Sequence, residues 1–298
     1  MIELHKYSGA GNDFVVLDGR KEDVSEFRTA GRIAALCDRR TGFAAADGRI
    51  GADGLMILTG DPDYDFRMEY YNSDGSGGMM CGNGGRCIVA FADALGLKPA
   101  DGRVFRFVAA DGEHTGEILA REGDCKTVRL RMIDVHEFRP ALDGWFLDTG
   151  TRHFVRFVPD VEAVDIEKEG YAARWDPLFA PIGANANFVS VDPDGTLRVR
   201  TFEKGVEAET LACGTGITAS AIAAYLTTDA SHRAGGPSFA GQEKIARQIL
   251  GRPCSTTPTH ASVGYSIQAR IARLAVDFRP GQNCFTDVYL TGPADEIR

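Results

Sequence analysis

The chain has 298 residues, of which 44% are hydrophobic and 25% charged, and its formal net charge is −9 at pH 7. These values are typical of a globular protein with one large or two ordinary domains. The negative charge disfavours nucleic acid or an anionic membrane as a partner. No apolar run has the length of a membrane span, and the start MIELHKYSGAG lacks the apolar region of a signal peptide. Seven cysteines without the spacing of a disulfide framework favour a reducing compartment, so we expect a cytoplasmic protein.

The first predicted elements are two strands that flank a polar glycine turn. Leu4–Asp18 fits this pattern, with Asn12 at the tip of the turn. From the residue type alone, an asparagine in such a turn more often stabilises the backbone than binds a ligand. The role of Asn12 is therefore open at this point.

A helix with one apolar face is predicted next. Asp23 and Glu26 form a possible capping pair at its start. The residues on its predicted apolar face are Phe27, Ala30, Ala34 and Cys37. This places Cys37 in the core.

The first chemically distinctive motif is a cysteine at a predicted helix N-terminus. Residues 70–85, YYNSDGSGGMMCGNGG, run from a strand through a glycine-bearing loop into a helix that begins near Cys81. Backbone N–H groups of a first helical turn lack intrahelical partners and carry the positive end of the helix dipole, so they stabilise a thiolate. A lone free cysteine is, however, more often a small buried hydrophobe.

Antiparallel strands with short turns follow, and the boundary between two half-molecules is predicted near residues 134–140. No low-complexity linker marks this boundary. The second half then shows the same order of elements as the first. Strands end at RTFEKGVEAETLACGTG, residues 200–216, and a helix with Ile217 and Ala221 on one face begins near Cys213. Because the motif occurs twice, chance is a poor explanation for either cysteine.

The end of the chain contains a long polar stretch and then more strands. Residues 227–262 are rich in Ser, Thr, Gly and Pro, with a short amphipathic piece at 243–250, and we expect a peripheral excursion. Strands are predicted at 265–269, 274–278 and 288–290.

Several motifs together resemble those of the diaminopimelate epimerase family. They are GAGNDFVVLD at 9–18, IGADG at 50–54, YYNSDGSGGMMCGNGGRC at 70–87 and NANFV at 185–189, in that family's order. The resemblance implies a cofactor-independent isomerase of lysine and peptidoglycan biosynthesis that converts LL-diaminopimelate, a small amino acid, to meso-diaminopimelate. It also implies an α+β fold of two pseudo-symmetric halves, each an antiparallel, barrel-like β-sheet curled around a central helix.

The resemblance supplies the expected domains and assembly as well. The N-terminal half would span 1–136 and carry Cys81, and the C-terminal half would span 137–285 and carry Cys213, while residues 286–298 would return to the first half. A homodimer is possible. No nucleic acid, membrane or metal is expected as a partner.

Matching the family's motifs residue by residue gives the candidate site. Cys81 and Cys213 would be catalytic, and His153 and Glu203 would adjust the ionisation of the two thiols. The candidate substrate-binding residues are Asn12, Asn72, Gly82, Asn83, Thr151, Asn185, Glu203, Lys204, Gly214 and Thr215. Taken singly, the asparagines would more often be turn formers, and His153 and Glu203 more often structural polar residues.

Two thiols suit the inversion of a carbon that bears hydrogen. One thiolate can remove the proton from one face while the other thiol protonates the opposite face. A free thiol has a pKa near ~8.5, so a modest shift of this pKa makes either the thiol or the thiolate available near neutral pH. No lysine motif for pyridoxal phosphate or cluster of metal ligands is evident in the sequence, so we expect no cofactor and no metal.

The chain departs from the family at two positions of the expected substrate shell. Thr151 stands where the family has asparagine, and Lys204 where it has arginine. An insertion at 41–49 is expected to form a surface loop beside the site.

Three other functions remain as alternatives. A racemase of the proline racemase type would use the same two-thiol logic. A glycine-rich loop before a helix could bind phosphate, although no Walker lysine or dinucleotide fingerprint accompanies it. Cys81 and Cys87 could serve a redox or metal-binding protein, but they lack the paired spacing of zinc sites.

Overall fold

The computed structural model describes residues 2–78, 81–228 and 262–298. The chain divides into two compact units: unit 1 comprises residues 1–131 and 291–298, and unit 2 comprises residues 132–290. None of the helices in the described ranges combines the length and the apolar composition that crossing a membrane requires.

Unit 1 is a closed ring of strands around a helix. Its strands are β1 (Leu4–Gly9), β2 (Asn12–Asp18), β3 (Gly54–Thr59), β4 (Phe66–Asn72), β5 (Val104–Ala109), β6 (Gly112–Glu122), β7 (Cys125–Arg131) and the last part of β16 (Phe285–Glu296). They lie side by side in chain order, and β16 pairs with both β7 and β1, which closes the ring. The helices are α1 (Ala30–Cys37) and α2 (Gly82–Ala94).

The central helix of unit 1 is α2. It is buried from Gly82 to Ala92 and packs against β1, β2, β3, β6 and β7. A helix that is apolar on nearly every side needs such an enclosure, because no face of it can be left in water. The ring of strands therefore fixes the position of the helix N-terminus that carries Cys81.

A second layer of unit 1 lies on the other side of the sheet, where α1 covers β2 and β3. The predicted single helix is wrong in detail: a 3₁₀ turn over Ser25–Arg28 precedes α1, which begins after Thr29. Thr29 has an extended backbone and caps α1 by accepting a hydrogen bond from the Arg32 N–H. The break changes the buried face, which holds Ile33, Leu36 and Cys37 instead of Ala30 and Ala34. Cys37 is buried, as predicted.

Unit 2 repeats the architecture of unit 1. Its strands are β8 (Glu137–Ala141), β9 (Gly144–Asp148), β10 (Arg152–Phe157), β11 (Asn185–Val191), β12 (Leu197–Glu203), β13 (Ala208–Thr210), β14 (Val263–Gln268), β15 (Arg273–Pro280) and the first part of β16. Their order is β8, β9, β10, β11, β12, β14, β15 and β16, with β13 beside β12. The helices are α3 (Tyr171–Arg174) and α4 (Gly214–Thr228).

The helices of unit 2 occupy the same two layers. The inner helix α4 is buried along most of its length and packs against β9, β10, β11, β12, β14 and β15. An outer layer of short helical turns between 161 and 179 covers the opposite face of the sheet. Phe179 of this layer packs in one cluster with the strand residues Phe146, Phe154 and Phe188. Each unit is thus a sheet packed between one inner helix and one outer helical layer.

Strand directions confirm the repeat and add a detail to the predicted fold. Most neighbours are antiparallel, but β2 and β3, β4 and β5, β10 and β11, and β12 and β14 run parallel. Parallel neighbours require a long crossover. These four crossovers hold α1, α2, the outer turns of unit 2 and α4, and they occur in the same order in both units. The α+β class and the barrel-like sheets around helices are confirmed.

The polar stretch predicted as a peripheral excursion lies almost wholly outside the described residues. Helix α4 ends at Thr228, and the description resumes at residue 262. Cys254 and the short amphipathic piece at 243–250 belong to the part that is not described.

Candidate active site

Cys81 is the residue immediately before α2. Its carbonyl accepts the first intrahelical hydrogen bond from the Gly85 N–H at 2.8 Å, and its Sγ accepts one from the Gly84 N–H at 3.2 Å. A Cβ on residue 84 would lie 3.3 Å from this sulfur, so glycine allows the close approach. The sulfur therefore lies at the positive end of the helix with an N–H directed at it, which stabilises negative charge there.

Two candidate asparagines of unit 1 are joined in a hydrogen-bond chain of fixed direction. Arg86 Nη2 donates to Asn83 Oδ1 at 2.8 Å, Asn83 Nδ2 donates to Asn12 Oδ1 at 2.6 Å, and Asn12 Nδ2 donates to Asp53 Oδ2 at 2.9 Å. A guanidinium can only donate and an ionised carboxylate can only accept. The ends of the chain therefore determine which way both amides point.

Arg86 begins this chain as a fully buried cation in α2. Its other hydrogen bonds go to the carbonyl oxygens of Gly82, at 3.1 Å, and Pro293, at 3.4 Å. Burial lowers the pKa of the guanidinium. Arg86 thus links the first turn of α2 to the strand that closes the ring.

Asp53 ends the chain within a second charged cluster. Arg39 forms ion pairs with both Asp53 and Asp13, and the buried Lys6 pairs with Asp13 at 2.9 Å. Burial alone raises the pKa of Asp13, but hydrogen bonds from Arg39 and Lys6 outweigh it and hold the pKa below its usual value. Lys6 also donates to the carbonyl oxygens of residues 49 and 51, at 3.1 and 2.5 Å, and so anchors the 41–49 loop.

Asn72 lies at the end of β4, in a turn of its own. Its Nδ2 donates to Ser76 Oγ at 3.0 Å, and its backbone N–H donates to the Ser76 carbonyl at 2.9 Å. These bonds agree with the turn-forming interpretation. Substrate binding by Asn72 stays a prediction.

Cys213 occupies the same position before α4 that Cys81 occupies before α2. Its carbonyl accepts the first helical hydrogen bond, from the Ile217 N–H at 2.8 Å, and its side chain is buried. The Thr215 hydroxyl lies within hydrogen-bond distance of this sulfur, with Oγ1 at 3.4 Å from Sγ. Candidate residues Gly82 and Gly214 begin the two helices.

The first turn of α4 packs directly on polar side chains of β10 and β11. An added Cβ on Gly216 would lie 2.4 Å from Asn187 Oδ1 and 3.2 Å from His153 Cε1. The second glycine of Cys-Gly-Thr-Gly therefore allows this close packing, since an added Cβ would force either the Asn187 side chain or the helix to shift.

His153 is fully buried and uncharged. Burial lowers its pKa from 6.5 to about 3, and the hydrogen bond with Asn187 only partly opposes this effect. Asn187 Nδ2 donates to the Phe154 carbonyl at 3.0 Å and lies 3.0 Å from His153 Nδ1, while Asn187 Oδ1 accepts from Thr201 at 2.9 Å. Because a carbonyl can only accept, the amide presents N–H to His153 Nδ1. The imidazole therefore carries its proton on Nε2.

Further candidates of unit 2 are grouped around that imidazole. Thr151 Oγ1 and Thr215 Oγ1 lie 2.9 and 3.0 Å from His153 Nε2. Asn185 Nδ2 donates to the Arg152 carbonyl at 3.2 Å, and Asn185 Oδ1 accepts from the Lys204 N–H at 2.7 Å.

The side chains of Glu203 and Lys204 differ in their surroundings. Burial raises the pKa of Glu203, which lies at the end of β12. Lys204 is exposed, and its ammonium forms no hydrogen bond or ion pair with the residues that the structure describes. The two departures from the family both adjoin Asn185: Thr151 Oγ1 lies 3.5 Å from Asn185 Nδ2, and the Lys204 N–H donates to Asn185 Oδ1. Their roles in substrate binding stay predictions.

Three of the other described cysteines, Cys37, Cys87 and Cys125, have a raised pKa. Burial raises the pKa of Cys37 and of Cys125 to about 11, and it raises that of the fully buried Cys87 further. These thiols are protonated at neutral pH. Within the described ranges, no group of three or more His, Cys, Asp and Glu side chains is arranged to hold a metal ion.

Sequence reasoning missed the residues that support the candidates. Arg86, Asp53 and Arg39 orient the unit 1 asparagines, and Asn187 fixes His153. A partial signal existed for Arg86, which is a charged residue inside the otherwise apolar stretch of α2.

Comparison with known proteins places this arrangement in a family. The family model described as diaminopimelate epimerase matches residues 4–124 and 145–244. The chain belongs to the diaminopimelate epimerase family.

Two relatives illustrate how far the similarity extends. The diaminopimelate epimerase of Flavobacterium psychrophilum is 37% identical over 296 residues, which cover 99% of this chain and 98% of that protein. The enzyme of Chlorobaculum tepidum is 42% identical over 223 residues, covering 73% of this chain and 81% of that protein. The similarity to the first relative spans both units and both cysteines.

Solved structures with the same fold are more distant in sequence. A phenazine biosynthesis protein of the PhzF family from Bacillus anthracis has a TM-score of 0.66 at 13% identity, over 100% of this chain and 97% of that one. A probable proline racemase from Agrobacterium radiobacter has a TM-score of 0.58 at 15% identity, over 99% and 90%. At such identities the likeness shows the fold alone.

Proposed function

We propose that this protein is an isomerase that epimerises LL-2,6-diaminopimelate to meso-diaminopimelate without pyridoxal phosphate, using Cys81 and Cys213 as base and acid. The observation that carries the proposal is the repeated position of the two thiols. Each cysteine directly precedes an inner helix whose first intrahelical hydrogen bond it accepts. Family membership supports diaminopimelate as the substrate over other amino acids.

In the proposed mechanism, the thiolate of one cysteine removes the proton from the carbon to be inverted. The thiol of the other cysteine then protonates the opposite face, and the two roles exchange when the reaction runs in reverse. Helix N-termini stabilise the thiolate and the negative charge that develops on the substrate. Gly82, Asn83, Gly214 and Thr215 would supply hydrogen-bond donors to the substrate carboxylate next to that carbon.

The other candidates would bind the rest of the substrate. Asn12 and Asn83 are suited to this because Arg86 and Asp53 fix the direction of their amides before substrate arrives. Asn72, Thr151, Asn185, Glu203 and Lys204 are proposed as further ligands. His153 and Glu203 would adjust the ionisation of the thiols.

The wider context is also a proposal. We propose that the two units correspond to the halves 1–136 and 137–285 expected from the sequence, that the enzyme works in the cytoplasm, and that it forms a homodimer. Its partners would otherwise be small amino acids. Size-exclusion chromatography with light scattering tests the oligomeric state.

The decisive experiment follows hydrogen at the inverted carbon. The purified protein is incubated with LL-diaminopimelate in D2O, and the product is analysed by NMR and chiral chromatography. A thiol exchanges its proton with solvent, so the second thiol should deliver deuterium and the meso product should carry it. Conversion with retention of the original hydrogen contradicts the two-thiol mechanism, and inversion of proline but not of diaminopimelate supports the alternative racemase function.

The matching variants are Cys81→Ala and Cys213→Ala. Each should lose epimerisation by at least about a hundredfold, because acid–base groups contribute typically 10²–10⁴ in rate, while circular dichroism stays that of the parent. Cys125→Ala is the control, since that thiol is half-buried and stays protonated at neutral pH. Parental activity in either catalytic variant would show that its cysteine is not an acid or base.

A further inference from the structure

The hydrogen-bonding groups around Cys213 form a closed polar triangle. Its corners are Thr151 Oγ1, His153 Nε2 and Thr215 Oγ1, and its sides measure 2.9, 3.0 and 3.0 Å. Cys213 Sγ lies outside the triangle, 3.4 Å from Thr215 Oγ1. Thr151 is the residue that stands where the family has asparagine.

Two residues outside the triangle determine which N–H donors reach it. The amide of Asn187 leaves His153 with its proton on Nε2, so the imidazole is a donor to the triangle. Asn185 Nδ2 approaches Thr151 Oγ1 at 3.5 Å and adds an N–H on the same side. His153 and Asn185 thus bring N–H donors to the triangle, and both threonine hydroxyls keep a proton that they can donate further.

Donation through the triangle in one direction ends at the cysteine. His153 Nε2–H can donate to either hydroxyl, and the Thr151 hydroxyl can donate to Thr215. The Thr215 hydroxyl has two acceptors within reach, Thr151 Oγ1 and Cys213 Sγ, and when Thr151 donates to Thr215 the sulfur receives the Thr215 proton. A chain of donors of this kind stabilises a thiolate more than a thiol, because each hydrogen bond polarises the next.

In unit 1 the donor to the catalytic sulfur is of another kind. There the backbone N–H of Gly84 donates to Cys81 Sγ, and a backbone N–H has a fixed direction. A hydroxyl can rotate, so Thr215 needs neighbours that decide where its proton points. Thr151 and His153 are placed to do so.

We propose that Thr151 is a positioning residue for Cys213: together with His153 it directs the Thr215 hydroxyl at the sulfur and so favours the thiolate. This role is additional to any contact with substrate. Only its kinetic consequence rests on the proposed function, since the reactivity of the thiol can be measured without substrate.

The test is the alkylation of Cys213 by iodoacetamide as a function of pH, followed by mass spectrometry of the Cys213 peptide. Thr151→Val removes the hydroxyl at nearly constant shape, and Thr151→Ser keeps it. At pH 7, Thr151→Val should slow alkylation about threefold or more, since one hydrogen bond contributes roughly 0.5–1.5 kcal/mol. The profile should move to higher pH, Thr215→Val should move it further, and Thr151→Ser should match the parent.

The controls separate a specific effect on Cys213 from a general effect of the substitution on the protein. Cys81 alkylation in the same samples should not change. Thr127→Val, a half-buried threonine on β7, should leave both cysteines as in the parent. Because Thr151 is exposed, its variants are expected to fold, and circular dichroism checks this.

Kinetics with LL-diaminopimelate distinguish the two possible roles of Thr151. A residue that only binds substrate would raise KM in Thr151→Val and leave Cys213 alkylation unchanged, and that result overturns the proposal. If the parent does not epimerise diaminopimelate, the proposed function fails, but the alkylation profiles still decide whether Thr151 acts on Cys213.

Discussion

The buried imidazole of His153 shows how one residue can serve a site without carrying charge. Its pKa is lowered to about 3, so it stays neutral through the pH range in which thiols ionise. It cannot act as a cation that attracts the substrate carboxylate. Its contribution is a fixed N–H donor whose direction is set by Asn187.

This protonation state predicts a pH dependence of stability. The unfolded chain binds a proton at His153 near pH 6.5, whereas the folded protein does not until about pH 3. The contribution of His153 is therefore fully present above pH 6.5, and it is lost as pH falls from there toward 3. In this window the free energy of unfolding should fall by about 1.4 kcal/mol per pH unit from this residue.

Urea unfolding at pH 6 and pH 5 measures the effect. His153→Gln has no titrating group, so its stability should depend less on pH than that of the parent. His136→Gln is the control, because His136 is exposed. An equal loss of stability in the parent and in His153→Gln would show that His153 does not remain neutral in the folded protein.

At the scale of elements, glycines in the first turn of an inner helix allow that end of the helix to pack closely on the sheet. In α4 the critical position is Gly216, whose Cα faces Asn187 and His153. Alanine normally stabilises a helix by about 1 kcal/mol relative to glycine. Here the clash of a Cβ at 2.4 Å from Asn187 Oδ1 opposes that gain.

We expect Gly216→Ala to lower the free energy of unfolding by about 1–3 kcal/mol, as overpacking does, and to reduce epimerase activity by displacing Cys213. Gly31→Ala is the matched control: residue 31 lies in α1 with no atom within 4 Å of an added Cβ. That variant should be as stable as the parent or more so. Thermal unfolding of both variants measures the effect. A Gly216→Ala variant more stable than the parent would show that the structure accommodates the added Cβ beside Asn187 without cost.

At the scale of the whole molecule, unit 1 depends on the far end of the chain. Residues 292–295 pair with β7, and Asp295 and Glu296 pair with β1. Ile297 N–H donates to the Lys6 carbonyl at 2.8 Å, and Pro293 accepts a hydrogen bond from Arg86. Without this segment, β1 and β7 would become open strand edges.

Removal of residues 291–298 should therefore destabilise unit 1 strongly, although the removed segment is short. We expect the melting temperature to fall by roughly 10 °C or more, since each kcal/mol shifts it by about 2–4 °C in a domain of this size. Hydrogen exchange should accelerate in β1 and β7. Removal of Arg298 alone is the control, and unchanged exchange in the longer truncation would show that the ring does not need its last strand.

The sequence by itself determined the two chemically distinctive cysteines, because a strand, a glycine loop and a helix are recognisable from periodicity and residue type, and this order occurs twice. The family and the fold class followed from the resemblance of several short motifs to a known family. Tertiary structure decided what local patterns do not contain. Arg86 contacts Asn83 one helical turn away, but Asn12 lies at the start of β2 and Asp53 just before β3, both far from α2 in sequence. The Thr151–His153–Thr215 triangle likewise joins the start of β10 to α4. A hydrogen bond of this kind is defined by a distance of about 3 Å and a direction, and only the packed sheet and helix bring residues so far apart in sequence to that distance.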